Sequence, residues 1–230
     1  MTPGAVLLVV KAPVAGLAKT RLAATIGADA AADIASAALL DTLEAATASG
    51  AGTLVAFTGD VARAARRSEV EAALSAATVF DQRGDGLGAR LAAAHADAHE
   101  LVGAPVLQVG MDTPQLTGAL LADALDAART HDAVLGPASD GGWWGLAVVD
   151  PALAAVLAEV PMSTDETGAL TREALAGAGA TVHLLPALRD VDTWADAVAV
   201  AALRPAGRFA TAVARAGGPI RVTDGDESPR

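Results

Sequence analysis

Short, apolar, β-branched runs recur along the chain, separated by longer stretches rich in alanine and leucine. The runs at Ala5–Val10, Thr53–Phe57, Thr78–Phe80, Pro105–Val109, Ala133–Leu135, Trp144–Val149 and Thr181–Leu185 have the length and side chains of strands. Between most of them, apolar residues return at helical spacing. Leu87, Leu91, Ala94, Ala98 and Leu101 step by four and three, which predicts one buried helix face. Leu121, Leu125 and Ala128 do the same behind an N-cap at Thr117. Ser163–Glu166 and Thr193–Asp196 read as capping boxes, and Gly177 and Gly179 as the end of the helix that the first box opens. Strand alternating with helix predicts three layers, α/β/α, around a mostly parallel, mixed sheet.

No composition break interrupts the chain before about residue 205. Residues 1–205 are therefore expected to form one domain and 206–216 a C-terminal helical extension. The polar, glycine-containing stretch 217–230 is expected to be a disordered tail.

Charge narrows the partners. The 230 residues carry a formal net charge of −11, with a pI near 4.6. That argues against a nucleic-acid backbone or an anionic membrane as the main partner. There is no cysteine, no secretory pattern and no apolar stretch long enough to span a bilayer, so a cytoplasmic protein is expected. Oligomeric state is not readable.

Within this acidic, arginine-preferring chain, only two of the 16 lysines and arginines are lysines. Both sit in one loop, Lys11-Ala-Pro13-Val-Ala-Gly16-Leu-Ala-Lys19-Thr20-Arg21. Compact, strongly hydrated charges after an apolar strand point to a small polyanion, with phosphate the first choice. The loop is not a Walker A sequence, because Ala18 precedes Lys19 and Pro13 interrupts the pattern. It reads instead as a phosphate-cradling turn leading into a helix N-terminus. A solvated turn that merely aids solubility is the plain alternative.

Most polar clusters follow predicted strands. Asp81–Gly88 follows the third, Gly110–Pro114 the fourth, Gly136–Trp144 the fifth and Arg189–Thr193 the last. In an open parallel sheet, loops beyond the strand C-termini line one crevice, where ligands bind. The clusters are therefore expected to converge.

Gly84-Asp85-Gly86-Leu-Gly88 lacks the position and final spacing of a dinucleotide fingerprint. Its glycines allow close backbone approach to a flat ring or ribose. Gln82 is a candidate for a base edge and Arg90 for a phosphate. Asp112, between Gly110 and Pro114, is placed to hold Mg²⁺ (or Mn²⁺), with Asp190 and Asp192 completing the set. Each aspartate read singly is a turn or cap residue. Asp140-Gly141-Gly142-Trp143-Trp144 holds two of the chain's three tryptophans and three phenylalanines. One Trp belongs to the core and the other to an acceptor floor, with Asp140 as hydrogen-bond acceptor or base. His95 and His99 are expected at the surface. No Ser-His-Asp or Cys-His constellation is legible.

Taken in order, these motifs resemble a bacterial domain family with the nucleotide-diphospho-sugar transferase (GT-A) fold. Its members are often labelled glycosyltransferases, including an arsenosugar-biosynthesis type. The resemblance rests on residues 11–22, 82–88, 110–114, 136–143, 162–164 and 190–193, and covers about residues 5–200. It implies a nucleotide at loops 11–22 and 81–88, with Mg²⁺ at Asp112. The same loops are similar to those of guanylyltransferases that activate phospholactate or molybdopterin, from which Asp140–Trp143 separates this chain. Two enzymes are thus in play. One is a Mg²⁺-dependent glycosyltransferase with a nucleotide-sugar donor, Lys19, Arg21 and the metal stabilising the departing diphosphate. The other is a nucleotidyltransferase of guanylyl or cytidylyl type that releases pyrophosphate from a nucleoside triphosphate. A small-molecule acceptor is expected for both. A nucleotide-binding regulator without turnover is the third reading.

Overall fold

The structure is a computed structural model and describes residues 4–217. The expected tail, beyond Gly217, lies outside the described residues.

The chain runs β1 (Ala5–Lys11), α1 (Thr20–Ile26), α2 (Ala28–Ala48), β2 (Gly52–Thr58), α3 (Arg67–Ser75) and β3 (Thr78–Asp81). It continues through α4 (Leu87–Val102), β4 (Val106–Gly110), α5 (Gly118–Ala127), β5 (Ala133–Pro137), β6 (Trp143–Val148) and α6 (Pro151–Ala154). A 3₁₀ turn at Ala155–Ala158 leads to α7 (Thr167–Gly177), β7 (Val182–Leu184), α8 (Trp194–Leu203) and α9 (Arg208–Ala216). All seven apolar runs are strands, in one sheet of order β3-β2-β1-β4-β6-β5-β7. Pairings are parallel except those of β6, which is antiparallel to both β4 and β5. The sheet is therefore mixed and mostly parallel, as the sequence predicts.

Both sheet faces are covered, so central strands read as unbroken apolar runs. In β1, Val6, Leu8 and Val10 pack toward α2 and α5, while Ala5 and Leu7 pack toward α4. On the α4 side, α6, the 3₁₀ turn and α7 complete the layer. On the other side α1, α8 and α9 close over α2 in a separate cluster around Ile34, Ala38, Val200 and Phe209. The fully buried Asp41 of α2 accepts hydrogen bonds from the Arg208 and Phe209 amides, at 3.1 and 2.9 Å, and so caps α9 against α2.

Local expectations fare unevenly. Thr117 caps α5 by accepting from the Leu120 amide, and Thr193 and Asp196 form the reciprocal capping box of α8. The box expected at Ser163–Glu166 does not form. α7 starts one residue after it, with no side-chain cap, and Ser163 takes a left-handed backbone (φ 62°). There Thr167 Oγ1 ties the turn, accepting from the Thr164 amide at 3.1 Å and donating to the Pro161 carbonyl at 2.9 Å. The α4 stripe is buried at Leu91, Ala94 and Ala98, but Leu87 and Leu101 at its ends are exposed. His95, expected at the surface, fills that face instead and is 0% exposed. Neither ring nitrogen has a hydrogen-bond partner among the described residues. Burial, helped by the charge of His99, pushes its pKa down to about 3.

Candidate functional site

The polar clusters converge beyond the strand ends as predicted. Two clefts, of about 680 and 590 Å³, share a wall that includes Lys11, Asp112, Asp140, Ser163, Thr164 and Asp192. The first is bounded by the loop from Leu17 to Arg21, and the second by Gln82, Arg90 and Trp143.

The loop after β1 folds back at once. The Val14 carbonyl accepts from the Leu17 and Ala18 amides, and Gly16 takes φ 78° with open space around it. Pro13 is buried and its carbonyl accepts from Ala65, so it anchors the loop rather than facing a ligand. Thr20 opens α1 as an exposed residue; that helix has only seven residues, so its dipole adds little. Lys11 ends β1 exposed, on the wall of both clefts.

Lys19 turns inward with a left-handed backbone (φ 47°). Its ammonium forms an ion pair with Asp112, donates to the Val191 carbonyl at 2.6 Å and stands 3.7 Å from Asp192 Oδ1. Burial works against this charge, but Asp112, and more distantly Asp192 and Asp190, outweigh it and raise the lysine pKa. Asp112 is lowered in turn: burial opposes its charge and Lys19 overrides that. Arg21 is exposed and bonds Asp192 Oδ2 at 3.0 Å.

The carboxylates regroup relative to expectation. Oxygens of Asp140, Asp190 and Asp192 all lie within 4.8 Å of one another. Asp190 and Asp192 are two apart in an irregular segment, with the intervening Val191 buried in the core. Asp112 is not in that trio and is paired with Lys19 instead. Asp140 is, and its Oδ1 accepts from the Gly142 amide at 2.7 Å, closing a tight turn. Burial, followed by the charges of Asp140 and Asp192, raises the Asp190 pKa. Three crowded carboxylates with an upward-shifted member suit a hard divalent cation by donor chemistry.

The loop 138–142 is fixed from behind. Gly141 (φ 89°) lies so close to the Asp165 carbonyl that a Cβ would stand 1.8 Å from that oxygen, and its own carbonyl accepts from Gly168 at 2.7 Å. The pairing of β5 with β6 slips between Gly136 and Pro137, leaving Trp144 as an extra residue. That bulge changes the alternation. Trp144 goes into the core, donating from Nε1 to the Pro186 carbonyl at 3.0 Å and meeting the second cleft only as a buried wall, while half-buried Trp143 lines that cleft more openly.

The glycine-rich loop is partly corrected. Gln82 Nε2 donates to the Val10 and Ala56 carbonyls, both at 2.9 Å, so its amide hydrogens pin the loop to the sheet and only its oxygen is left for a base. Gly84, Asp85 and Gly86 are exposed, with φ 119° at Gly84 and 82° at Gly86. Gly88 does not face a ligand. It is buried against the 3₁₀ turn, where a Cβ would stand 2.1 Å from the Leu157 carbonyl oxygen. Arg90 bonds the Gly86 carbonyl through Nε and lines the second cleft.

Sequence reasoning assigned Ser163 and Thr164 to a helix cap, yet both lie on the shared wall. It passed over Gln108 altogether. The signal was there: a lone polar residue inside the apolar run Pro105–Val109.

The family model for "Uncharacterized protein conserved in bacteria (DUF2064)" matches residues 39–164. The chain belongs to the DUF2064 family. No curated protein matches it significantly. Among solved structures, a candidate nucleotide-diphospho-sugar transferase from Desulfovibrio desulfuricans G20 is similar, with 26% identity and TM-score 0.81 over 94% of this chain and 95% of that one. Its fold is the fold of this chain. Two others share the fold more distantly. Rv0371C of Mycobacterium tuberculosis H37Rv, in complex with manganese, has 23% identity and TM-score 0.51 over 86% of this chain and 98% of that one. A CMP-2-keto-3-deoxy-manno-octonic acid synthetase in complex with CTP has 14% identity and TM-score 0.52 over 89% and 99%. Among the described residues, no helix is long and apolar enough to cross a membrane.

Proposed function

We propose that the protein is a divalent-metal-dependent transferase acting on a nucleotide-activated substrate, with a nucleotide sugar as donor and a small molecule as acceptor. The observation that carries this reading is the shared wall: the carboxylates lie where a lysine–arginine loop and a tryptophan-lined cleft meet. Two substrates in adjoining clefts would react there. In this reading residues 1–205 are the transferase domain and 206–216, which include α9, its helical extension.

Lys11, Lys19, Thr20 and Arg21, with the turn at Gly16, take the donor's phosphates. Gln82 and Arg90, which line the second cleft, meet the nucleoside where it adjoins the acceptor, and Gly84, Asp85 and Gly86, which line neither cleft, shape the loop that carries Gln82 to it. Asp190, Asp192 and Asp140 would hold Mg²⁺ or Mn²⁺, and Asp112, paired with Lys19, would become available to it if a phosphate took over that lysine. Bound there, the cation supplies charge stabilisation to the departing diphosphate. Lys19 and Arg21 neutralise the same leaving group with fixed positive charge. Asp140 keeps Oδ1 on the Gly142 amide, leaving Oδ2 for the cation or for an acceptor hydroxyl proton. Trp143 packs against the acceptor.

A second reading, nucleotidyl transfer, draws on the first cleft, where Lys11, Lys19 and Arg21 are enough cations for a triphosphate. One experiment separates them. Purified protein with Mn²⁺ is incubated with nucleotide sugars or nucleoside triphosphates and an acceptor panel. Nucleoside diphosphate or monophosphate released from a nucleotide sugar supports sugar transfer. Acceptor-dependent pyrophosphate release, with no nucleotide sugar bound at millimolar concentration, reverses the choice.

A further inference from the structure

Gln108 lies in the middle of β4, is 1% exposed and lines the second cleft. Its Nε2 donates to the Leu91 carbonyl of α4 at 3.1 Å, which fixes the amide orientation. Its Oε1 is buried and has no hydrogen-bond partner among the described residues. An orphaned buried acceptor costs stability, and an apolar residue of the same size would fit an otherwise apolar strand better. Around it the cleft is largely apolar, with Val9, Leu87, Leu91, Met162 and Trp143 on its walls.

Charge sets a second limit on what enters. Lys11 and Arg90 are the cations of this cleft, against the carboxylates Asp140 and Asp190 and against Asp112 and Asp192, which Lys19 and Arg21 already pair. These charges nearly balance, and a donor's phosphates would take up the cations and any divalent ion bound there. A second anion is then disfavoured.

Resting on the two-cleft transferase reading, we propose that Gln108 is a specificity-determining residue and that the acceptor is a neutral, hydroxylated small molecule of sugar or polyol type. Its apolar face lies on Trp143, and one hydroxyl donates to Gln108 Oε1 once the side chains closed over that oxygen move aside to admit it. A site built around a buried polar atom rejects analogues that leave it unpaired, so the orphaned oxygen selects for a donor group. A phosphorylated acceptor is disfavoured in this cleft.

The test uses methyl β-D-glucopyranoside as probe and glucose 6-phosphate as the anionic counterpart, titrated with ligand-detected NMR in the presence of Mn²⁺-free Mg²⁺ buffer. The wild-type protein is expected to bind the glucoside at millimolar concentration and the phosphate more weakly. Gln108→Met and Gln108→Leu should each weaken glucoside binding about fivefold, the loss of one neutral hydrogen bond. Nucleotide titrations on the same samples keep this inference apart from the transferase reading. Unchanged nucleotide binding in a Gln108 variant that has lost the glucoside supports it. Equal glucoside affinity in wild type and in whichever variant folds overturns it, as does tighter binding of glucose 6-phosphate or no glucoside binding at all. Absence of nucleotide binding in the wild type overturns the transferase reading, and this inference with it.

Discussion

Lys19 Nζ stands 3.7 Å from Asp192 Oδ1, so the loop after β1 and the segment after β7 meet through opposite charges. The same ammonium holds Asp112 at the end of β4. One lysine therefore joins three loops, and a phosphate that recruits it also loosens two carboxylates.

Lys19→Ala is expected to lower nucleotide affinity about ten- to a hundredfold, the loss of one charged hydrogen bond of about 1.5–3 kcal/mol. Arg63→Ala is the control, since Arg63 is exposed on a short 3₁₀ turn away from both clefts. Calorimetric titration with a nucleoside diphosphate reads both. Equal affinities would remove the loop from the phosphate site.

Asp112→Asn keeps the side-chain shape but leaves the buried Lys19 with weaker partners. Removing one partner of a fully buried pair costs about 3–5 kcal/mol. Asp112 is partly exposed, so solvent screening brings this down to about 1–3 kcal/mol. The variant should remain folded by circular dichroism yet lose metal-dependent turnover. Full Mg²⁺-dependent turnover in the folded variant would sink the proposed role of Asp112.

The neutral, buried His95 makes stability depend on acid in a defined window. Its folded pKa is about 3 against 6.5 for the free side chain. Above pH 6.5 both states are unprotonated and the full stability is present. As pH falls toward 3, only the unfolded chain takes the proton, and stability is lost. The loss should reach about 2 kcal/mol by pH 5. Asp112, lowered below 3.8, contributes only in more acid solution, outside the range from pH 7.5 to 5 in which His95 is read. Urea titrations from pH 7.5 to 5 should show His95→Leu losing about 2 kcal/mol less than the wild type. A wild-type-minus-variant difference that is flat over this range refutes the assignment.

The sheet was legible because its strands are apolar on both faces and short, whereas the helices between are long. Each predicted run therefore had one reading, and the five polar clusters fell at one sheet edge by topology alone. Pairing was not legible. Nothing in Asp140–Trp144 says that β6 turns back between β4 and β5, and it is this reversal that carries Asp140 to Asp190 and Asp192. Lys19 was found by composition, but its partners come from three distant segments. Ser163 was misread because a capping-box sequence and a strained turn share the same letters. His95 was misread because a histidine on an alanine-rich helix carries no sign of how deep that face sits.

Gly141→Ala tests whether loop 138–142 is held as described. The substitution places a methyl 1.8 Å from the Asp165 carbonyl and demands φ 89° of a residue with a Cβ. It should cost more than about 2 kcal/mol and weaken binding at Asp140. Gly177→Ala, at the end of α7 with open space around it, should be neutral or stabilise by up to about 1 kcal/mol. Matching urea midpoints for the two variants would show that the loop is free to shift.

The adjacent tryptophans should differ in phenotype, stability for one and acceptor binding for the other. Trp144 is buried, bonds Pro186 through its indole and packs in the α2–α5 side of the core. Trp144→Ala should cost about 3–5 kcal/mol, as for other large-to-small core changes. Trp143, turned to the other face by the bulge, should behave in the opposite way. Trp143→Ala is expected to raise the acceptor KM several-fold, with kcat and donor affinity little changed, because a contact made equally in ground and transition states is lost. Its thermal midpoint should stay closer to wild type than that of Trp144→Ala. Should Trp143→Ala instead weaken donor binding while sparing the acceptor, the second cleft would belong to the nucleotide alone, and the acceptor would have to enter by the cleft of Leu17 and Arg21.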